Sequence, residues 1–154
     1  MVLNPLTPAL AEATLGALYI EGAGPSLGFL SGLLVQPQYQ AWGAVDEGNV
    51  VAAIWYQCVD QHAELLDLRV GQAARRSGYG GTLLRNTLCL IGQGGVQAVD
   101  LEVRESNAPA ISLYARAGFE ITGRRRDYYR LPTGEREDAV LMSLTLQAAE
   151  KKLG

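Results

Sequence analysis

Soft metal ligands are scarce in this chain: two cysteines and one histidine in 154 residues. Cys58 and Cys89 stand apart in apolar runs, and His62 has no second histidine or cysteine at ligand spacing, so the usual zinc patterns cannot be assembled and no metal is expected. Both thiols read as reduced and buried. Long apolar runs are also missing: none reaches the roughly 18 residues that a membrane helix needs. No basic segment followed by an apolar core opens the chain, so the expectation is a cytoplasmic protein, neither secreted nor membrane-spanning. Positive charge is not in excess either. A net charge of −3 argues against a surface that grips nucleic acid throughout, and no direct nucleic-acid binding is expected. Arginines gather locally, at Arg75-Arg76 and Arg124-Arg125-Arg126, which suits a small anionic ligand.

What is present is enough apolar content, 48%, to fill one core, and residues 1–154 are expected to form a single domain. Val2 to Leu6 reads as an edge strand because of its proline. Thr7 and Pro8 read as cap and first position of a helix running towards Tyr19 and stopped by Gly22 and Gly24. Ser26 caps a short helix through Leu27, Leu30 and Leu34, weakened by Gly28 and Gly32. Ala41 to Val45 and Val50 to Cys58 are strands joined by the turn residues Asp46-Glu47-Gly48-Asn49, and Ala63 to Val70 completes an antiparallel meander.

Leu84, Leu88 and Ile91 mark a helix ended by Gly92, Gly94 and Gly95, and Val96 to Val103 is the next strand. Its Val99, Leu101 and Val103 share one face, leaving Asp100 and Glu102 on the other. Ser106-Asn107 caps a helix with Pro109 in its first turn, closed by Gly118. Phe119 to Arg130 and Asp138 to Leu146 are the last strands, separated by Pro132-Thr133-Gly134, and a charged tail from Glu150 is expected to fray. The order implies an α+β fold around one mixed sheet with helices on both faces.

The stretch that organises the rest joins the strand ending at Val70 to a basic loop, Arg75-Arg76-Ser77-Gly78-Tyr79-Gly80-Gly81-Thr82. A glycine loop opening a helix leaves backbone N–H groups free, and the helix dipole favours an anion beside them, so a phosphate belongs there. The loop lacks the Gly-Lys-Ser/Thr ending of a nucleotide P-loop and the Gly-x-Gly-x-x-Gly of a dinucleotide fold, which points away from ATP and NAD.

Taken together, the strand Leu66 to Val70, Arg-x-x-Gly-x-Gly at Arg75 to Gly80, Leu101-Glu102-Val103-Arg104 with Ser106-Asn107, Leu113-Tyr114 and Gly118-Phe119 resemble the GNAT N-acetyltransferase superfamily over about the C-terminal two thirds of the chain. With Arg125-Arg126-Asp127-Tyr128-Tyr129, the closer likeness is to the bacterial ribosomal-protein alanine N-acetyltransferases. The resemblance implies acetyl-CoA as co-substrate. Its pyrophosphate would lie on Arg75, Arg76, Ser77, Gly78, Tyr79, Gly80, Gly81 and Thr82, with Thr82 opening the helix. Its pantetheine arm would pair with the backbone of Leu68, Arg69 and Val70 and contact Asn107; as a residue reading, Asn107 is also an ordinary helix cap.

By the same resemblance Glu102 accepts the amine's proton and Tyr114 supplies one to the departing thiolate. A Glu102 partly buried against Leu101 and Val103 would be the stronger base. The plain alternatives are a salt bridge from Glu102 to Arg104 or Arg126, and a core aromatic at Tyr114. Tyr128 and Tyr129 resemble the tyrosines that hold the acceptor peptide; otherwise one lies in the core and one on the surface. An α-amine loses its proton about 3.5 kcal/mol more easily than lysine, which favours a protein N-terminus, with a ribosomal protein as a candidate partner. A small amine is the alternative acceptor, and a non-catalytic coenzyme A-binding module a third reading. Neither cysteine stands beside a base, so direct transfer is expected over an acetyl-enzyme. The glycine-rich Gly22-Ala23-Gly24-Pro25-Ser26-Leu27-Gly28 departs from the Trp-Ser segment of the ribosomal-protein enzymes. Monomer and homodimer both remain open.

Overall fold

Two residues with positive φ, Glu47 at 50° and Gly48 at 81°, reverse the chain between strands Tyr39–Asp46 (β2) and Asn49–Val59 (β3). Both central positions of this loop take the left-handed twist that suits an antiparallel hairpin, as the Asp-Glu-Gly-Asn sequence predicts. The computed structural model describes residues 2–20, 24–75 and 77–146. Val2–Pro5 (β1) pairs with β2 at the sheet edge, where its proline breaks no inner ladder, and His62–Val70 (β4) completes the antiparallel meander. Ala98–Arg104 (β5), Glu120–Arg130 (β6) and Arg136–Thr145 (β7) follow, and the seven strands lie in the order β1-β2-β3-β4-β5-β7-β6. Only the β4–β5 pair is parallel, and it is short: four residue pairs, His62 to Leu65 against Ala98 to Leu101.

Helices Pro8–Thr14 (α1) and Leu27–Leu33 (α2) cover one face of the meander, and Tyr79–Gln93 (α3) and Ala108–Arg116 (α4) cover the other. The alternation of β3 serves both cores. Ala53 and Trp55 pack with Leu15 and Leu30 on the first face, while Ile54 and Tyr56 pack with Leu83, Leu84 and Leu88 on the second. The expected caps are all made: Thr7, Ser26 and Asn107 side chains accept from Leu10, Phe29 and Ala110 N–H at 3.1, 3.1 and 3.2 Å.

Two expectations fail at helix ends. The helix predicted from Pro8 towards Tyr19 stops at Thr14, whose hydroxyl bonds back to the Leu10 carbonyl at 2.7 Å, and a separate 3-10 turn covers Gly16–Tyr19. Gly16 adds the low helix propensity that lets the break fall there. In the second case α3 begins at Tyr79 rather than Thr82, because Gly78 at φ +83° already caps it. Gly92 lies inside α3, and Gly94 is its C-cap. Glu21, Gly22 and Ala23, Arg76 and the tail from Glu150 lie outside the described residues.

Leu15 is fully buried beneath α1, between the helix and the sheet. Leu15→Ala should lower unfolding free energy by about 2–5 kcal/mol, read from urea denaturation, since the site cannot collapse around the lost atoms.

Candidate functional site

Beyond Leu65 and Leu101 the parallel ladder ends and the strands diverge. A bulge adds to the divergence: Tyr56 pairs with Leu65 and Trp55 with Asp67, so Leu66 is an extra residue in β4. From Asp67 to Val70 the only strand that β4 pairs with among the described residues is β3, and on the side that β5 leaves the Val70 carbonyl accepts from Arg75 Nε at 3.3 Å. A cavity of about 960 Å³ occupies the gap.

The expected binding residues line this cavity in three groups. Leu68, Arg69 and Val70 come from the open edge of β4; Arg75, Gly78, Tyr79, Gly80, Gly81 and Thr82 come from the loop and the first turn of α3; Asn107 comes from the cap of α4. Thr82 N–H bonds the Gly78 carbonyl at 3.1 Å, so the amides of Tyr79, Gly80 and Gly81 are the donors left without a helical partner. These three amides at the positive end of a fifteen-residue helix, with the Arg75, Arg85 and Arg116 guanidinium groups around the same cavity, make an anion cradle. Ser77 does not line it; its hydroxyl is bonded to the Ala74 carbonyl. The sequence reading missed Leu18, Arg85 and Arg116, and it missed Asp67, the only carboxylate lining the cavity among the described residues. An acidic residue amid the apolar Leu65, Leu66 and Leu68 of a strand was the available signal.

Asp67 shares the α1–α2 face of the sheet, because its cross-strand partner is Trp55. Tyr19 Oη donates to Asp67 Oδ2 at 2.6 Å and accepts from Trp55 Nε1 at 2.9 Å. Arg69 lies with its guanidinium carbon 4.0 Å from the centre of the Tyr19 ring and its Nε 3.8 Å from Asp67 Oδ2. Burial pushes Asp67 up from the ordinary carboxylate range, against the Tyr19 hydrogen bond and the Arg69 charge, which pull it down. Tyr19 is itself pushed far up by burial and then by Asp67.

Glu102 projects to that same face from β5, since Leu101 and Val103 are buried on the other. Glu102 is partly covered, its side chain 30% exposed, but not by Leu101 and Val103. It takes an ion pair from Arg125 Nε at 2.8 Å; among the described residues neither Arg104 nor Arg126 is its partner. Arg104 instead pairs with Glu137 at 3.1 Å and stacks 4.3 Å from the Tyr129 ring centre. Tyr128 and Tyr129 do not divide into core and surface. A wide bulge between Arg125 and Tyr129, with Asp127 at φ 51° and its N–H on Asp138 Oδ1 at 3.0 Å, brings the two rings edge to face at 5.1 Å. Tyr129 is pushed up by burial and by Glu102, which places it in the same electrostatic neighbourhood.

Tyr114 is 8% exposed on α4 and packs edge to face on Phe119 at 5.7 Å, so the core-aromatic reading holds as packing. Its hydroxyl makes no hydrogen bond among the described residues. Burial, and after it the Asp67 charge, pushes the phenol well up. A neutral phenol therefore lies close enough to Asp67 to feel its charge, with Glu102 across the divergence of the strands. Such a set can donate a proton from one side and accept protons on the other. Cys58 is half-buried with its thiol pushed up by burial, Cys89 is exposed on α3 against the expectation that both thiols are buried, and His62 lies exposed against Asp100. Among the described residues no cluster of His, Cys, Asp and Glu could hold a metal, and no helix is long and apolar enough to cross a membrane.

Residues 19–119 match the model of the Acetyltransferase (GNAT) family. The [Ribosomal protein bS18]-alanine N-acetyltransferase of Haemophilus ducreyi is 36% identical over 101 residues, covering 66% of this chain and 70% of that protein. The enzyme of that name from Escherichia coli K12 is 36% identical over 109 residues, covering 71% and 73%. The crystal structure of the ribosomal-protein-S18-alanine N-acetyltransferase from Escherichia coli superposes with a TM-score of 0.86 at 29% identity, over 96% of this chain and 95% of that one.

The tyrosines of the site give the chain a measurable alkaline limit. In the unfolded chain Tyr19 and Tyr114 ionise near pH 10, whereas the folded protein holds both protons above that pH. The unfolded state then binds fewer protons, so stability is full below about pH 10 and falls above it by about 1.4 kcal/mol per pH unit for each phenol. Melting temperatures between pH 9 and 12 should decline less steeply in Tyr19→Phe than in the wild type.

Proposed function

The chain belongs to the GNAT family of acetyltransferases, and from that premise we propose that it acetylates the α-amine of a protein N-terminus using acetyl-CoA, with an N-terminal alanine of a ribosomal protein as the acceptor. The observation that carries this reading is the cavity that runs from the free first-turn amides of α3 along the open edge of β4 to Asp67.

The residues fit the co-substrate. The amides of Tyr79, Gly80 and Gly81 with Arg75 would hold a pyrophosphate, Gly78 permitting the turn and Thr82 standing in the same first turn. On the edge that β5 leaves, Leu68 and Val70 would pair with the amides of a pantetheine arm, as an edge strand accepts a further strand, and the Val70 carbonyl also accepts from Arg75 Nε at 3.3 Å. Asn107 spends one side-chain oxygen on its cap and keeps its amide nitrogen for the cavity. Acetyl-CoA, when bound, supplies an acyl group activated as a thioester.

Within this reading Tyr114 holds a proton on its Oη until a thiolate demands it, and its burial keeps it protonated at neutral pH. Glu102 accepts a proton from the amine, its position fixed by Arg125. Tyr128 and Tyr129, braced by Arg125 and Arg104, offer ring faces to the first residues of an acceptor peptide. Transfer is direct, because Cys58 lies under a raised thiol pKa and Cys89 stands on the surface of α3. The site of action is the cytoplasm, where ribosomal proteins are made.

Release of free thiol from acetyl-CoA, screened against peptides beginning with Ala, Ser, Met and Thr and against free small amines, tests the reading. The Ala peptide should be the best acceptor; turnover on small amines alone would replace a protein acceptor by a small one. Glu102→Gln and Tyr114→Phe should each lower kcat by about 10²–10⁴, with acetyl-CoA affinity held. Tyr114→Phe should also melt within a few degrees of the wild type, since its hydroxyl has no bond to lose among the described residues.

A further inference from the structure

Acetylating an α-ammonium removes two protons from nitrogen, one before it can attack and one after the carbon–nitrogen bond has formed. The thiolate takes back one. The reading above provides one acceptor, Glu102, and one donor, Tyr114, so a second acceptor is missing. Glu102 is also already committed to an ion pair with Arg125.

Asp67 has the attributes that Glu102 lacks. Its side chain is 12% exposed, it lines the cavity, and it sits on the bulge where β4 leaves β5. One oxygen, Oδ2, is occupied by the Tyr19 hydroxyl and neighbours Arg69. The other, Oδ1, accepts no hydrogen bond among the described residues. Gly24, at φ +105°, passes over it: a Cβ there would stand 3.8 Å from Asp67 Oδ1 and 3.3 Å from Arg69 Nη2. Gly24 therefore bounds one side of Asp67, and the carboxylate meets the cavity beside it. The group is also rigid. Trp55 donates to Tyr19, Tyr19 donates to Asp67, and Arg69 bonds the Leu18 carbonyl at 3.4 Å, so the 3-10 turn and two strands hold one rotamer.

Resting on the acetyltransferase reading, we propose that Asp67 is a further catalytic residue, which binds the acceptor's ammonium group through Oδ1 and takes the first of its two protons. The nitrogen lone pair so released forms the bond to the thioester carbonyl carbon. Glu102 takes the second proton from nitrogen, the carbon–sulfur bond breaks, and the thiolate receives its proton from Tyr114 Oη. The tyrosinate is reprotonated from solvent, and one proton is released overall. Burial favours this role, since it raises the proton affinity of Asp67 while Tyr19 and Arg69 keep the group ionised enough to bind a cation. Among the described residues the charged and titratable groups acting on it are Tyr19 from the 3-10 turn and Arg69 on its own strand, it acts in turn on Tyr114 from α4, and Glu102 shares its face of the sheet from β5.

The test compares wild type and Asp67→Asn in two measurements. The first is calorimetric binding of an Ala-initiated peptide and of its N-acetylated form, with no acetyl-CoA present. The wild type should prefer the free amine by about 10-fold or more, the scale of a hydrogen bond to a charged group, and Asp67→Asn should lose the preference. The second is the pH profile of kcat/KM. Asp67→Asn should fall by about 100-fold at neutral pH and recover about tenfold per pH unit towards the amine's own pKa near 8, where the free amine no longer needs the first proton taken. A uniform loss at every pH with the binding preference intact would mean a structural role and overturn the proposal. Should Asp67→Asn fail to fold, Tyr19→Phe frees the carboxylate from its only hydroxyl partner and should weaken the preference several-fold; an unchanged preference overturns the proposal as well. Wild type that acetylates no amine at all overturns the functional reading and this inference together, whereas full activity and discrimination in Asp67→Asn overturns the inference alone.

Discussion

Everything functional in this protein depends on a ladder that stops. Four parallel pairs hold β4 against β5, and then the Leu66 bulge turns β4 aside. Backbone polar groups in the middle of a sheet are normally satisfied by their neighbours, and leaving four residues of a central strand open on one edge is costly unless something else pairs with them. The cavity is that vacancy in the hydrogen-bonding scheme, so it is part of the sheet's own pattern and not a hollow added to its surface. The elements to either side are placed by the same break. α3 leaves from the end of β4 with its amides towards the gap, and α4 follows β5 with Asn107 and Tyr114 on the other side.

The electrostatics divide along the sheet. Towards α3 the cavity is cationic, with Arg75, Arg85 and Arg116 and the helix N-terminus. Towards the bulge it becomes acidic, through Asp67 in the cavity and Glu102 on the neighbouring strand. An anionic co-substrate and a cationic acceptor would therefore be drawn to opposite ends, and they would meet where burial keeps Tyr114 neutral. Arg69 sits at the boundary and counters Asp67 on one side only.

The loop side of the cavity was legible in the sequence because its residues are contiguous and its physics is local: a glycine loop, a helix start and a capped second helix are all read from neighbours along the chain. Asn107 capping α4 and the turn at Gly78 came out as expected. The sheet order was less accessible, since the insertion of β7 between β5 and β6 has no local signature. The errors concern residues whose surroundings come from distant strands. Glu102 is partly buried, but not by its apolar neighbours: Leu101 and Val103 face the other way, and Arg125 on β6 reaches it across β7. Strict alternation also put Tyr128 and Tyr129 on opposite faces, and the Asp127 bulge cancelled it. Asp67 was hidden for the same reason: its network joins residues 48 and 36 positions apart in sequence.

The Asp127 bulge has a second effect, on how the molecule meets its own copies. An eleven-residue strand at the edge of a sheet is a template for a further strand from another chain. In β6 the regular edge is broken between Arg125 and Tyr129, and three consecutive arginines, Arg124 to Arg126, make the approach of an identical strand electrostatically unfavourable. At the opposite edge, β1 is four residues long and ends in Pro5, which has no N–H to offer. With both outer edges closed to strand addition, the opening between β4 and β5 is the place where an extended chain or arm can join this sheet.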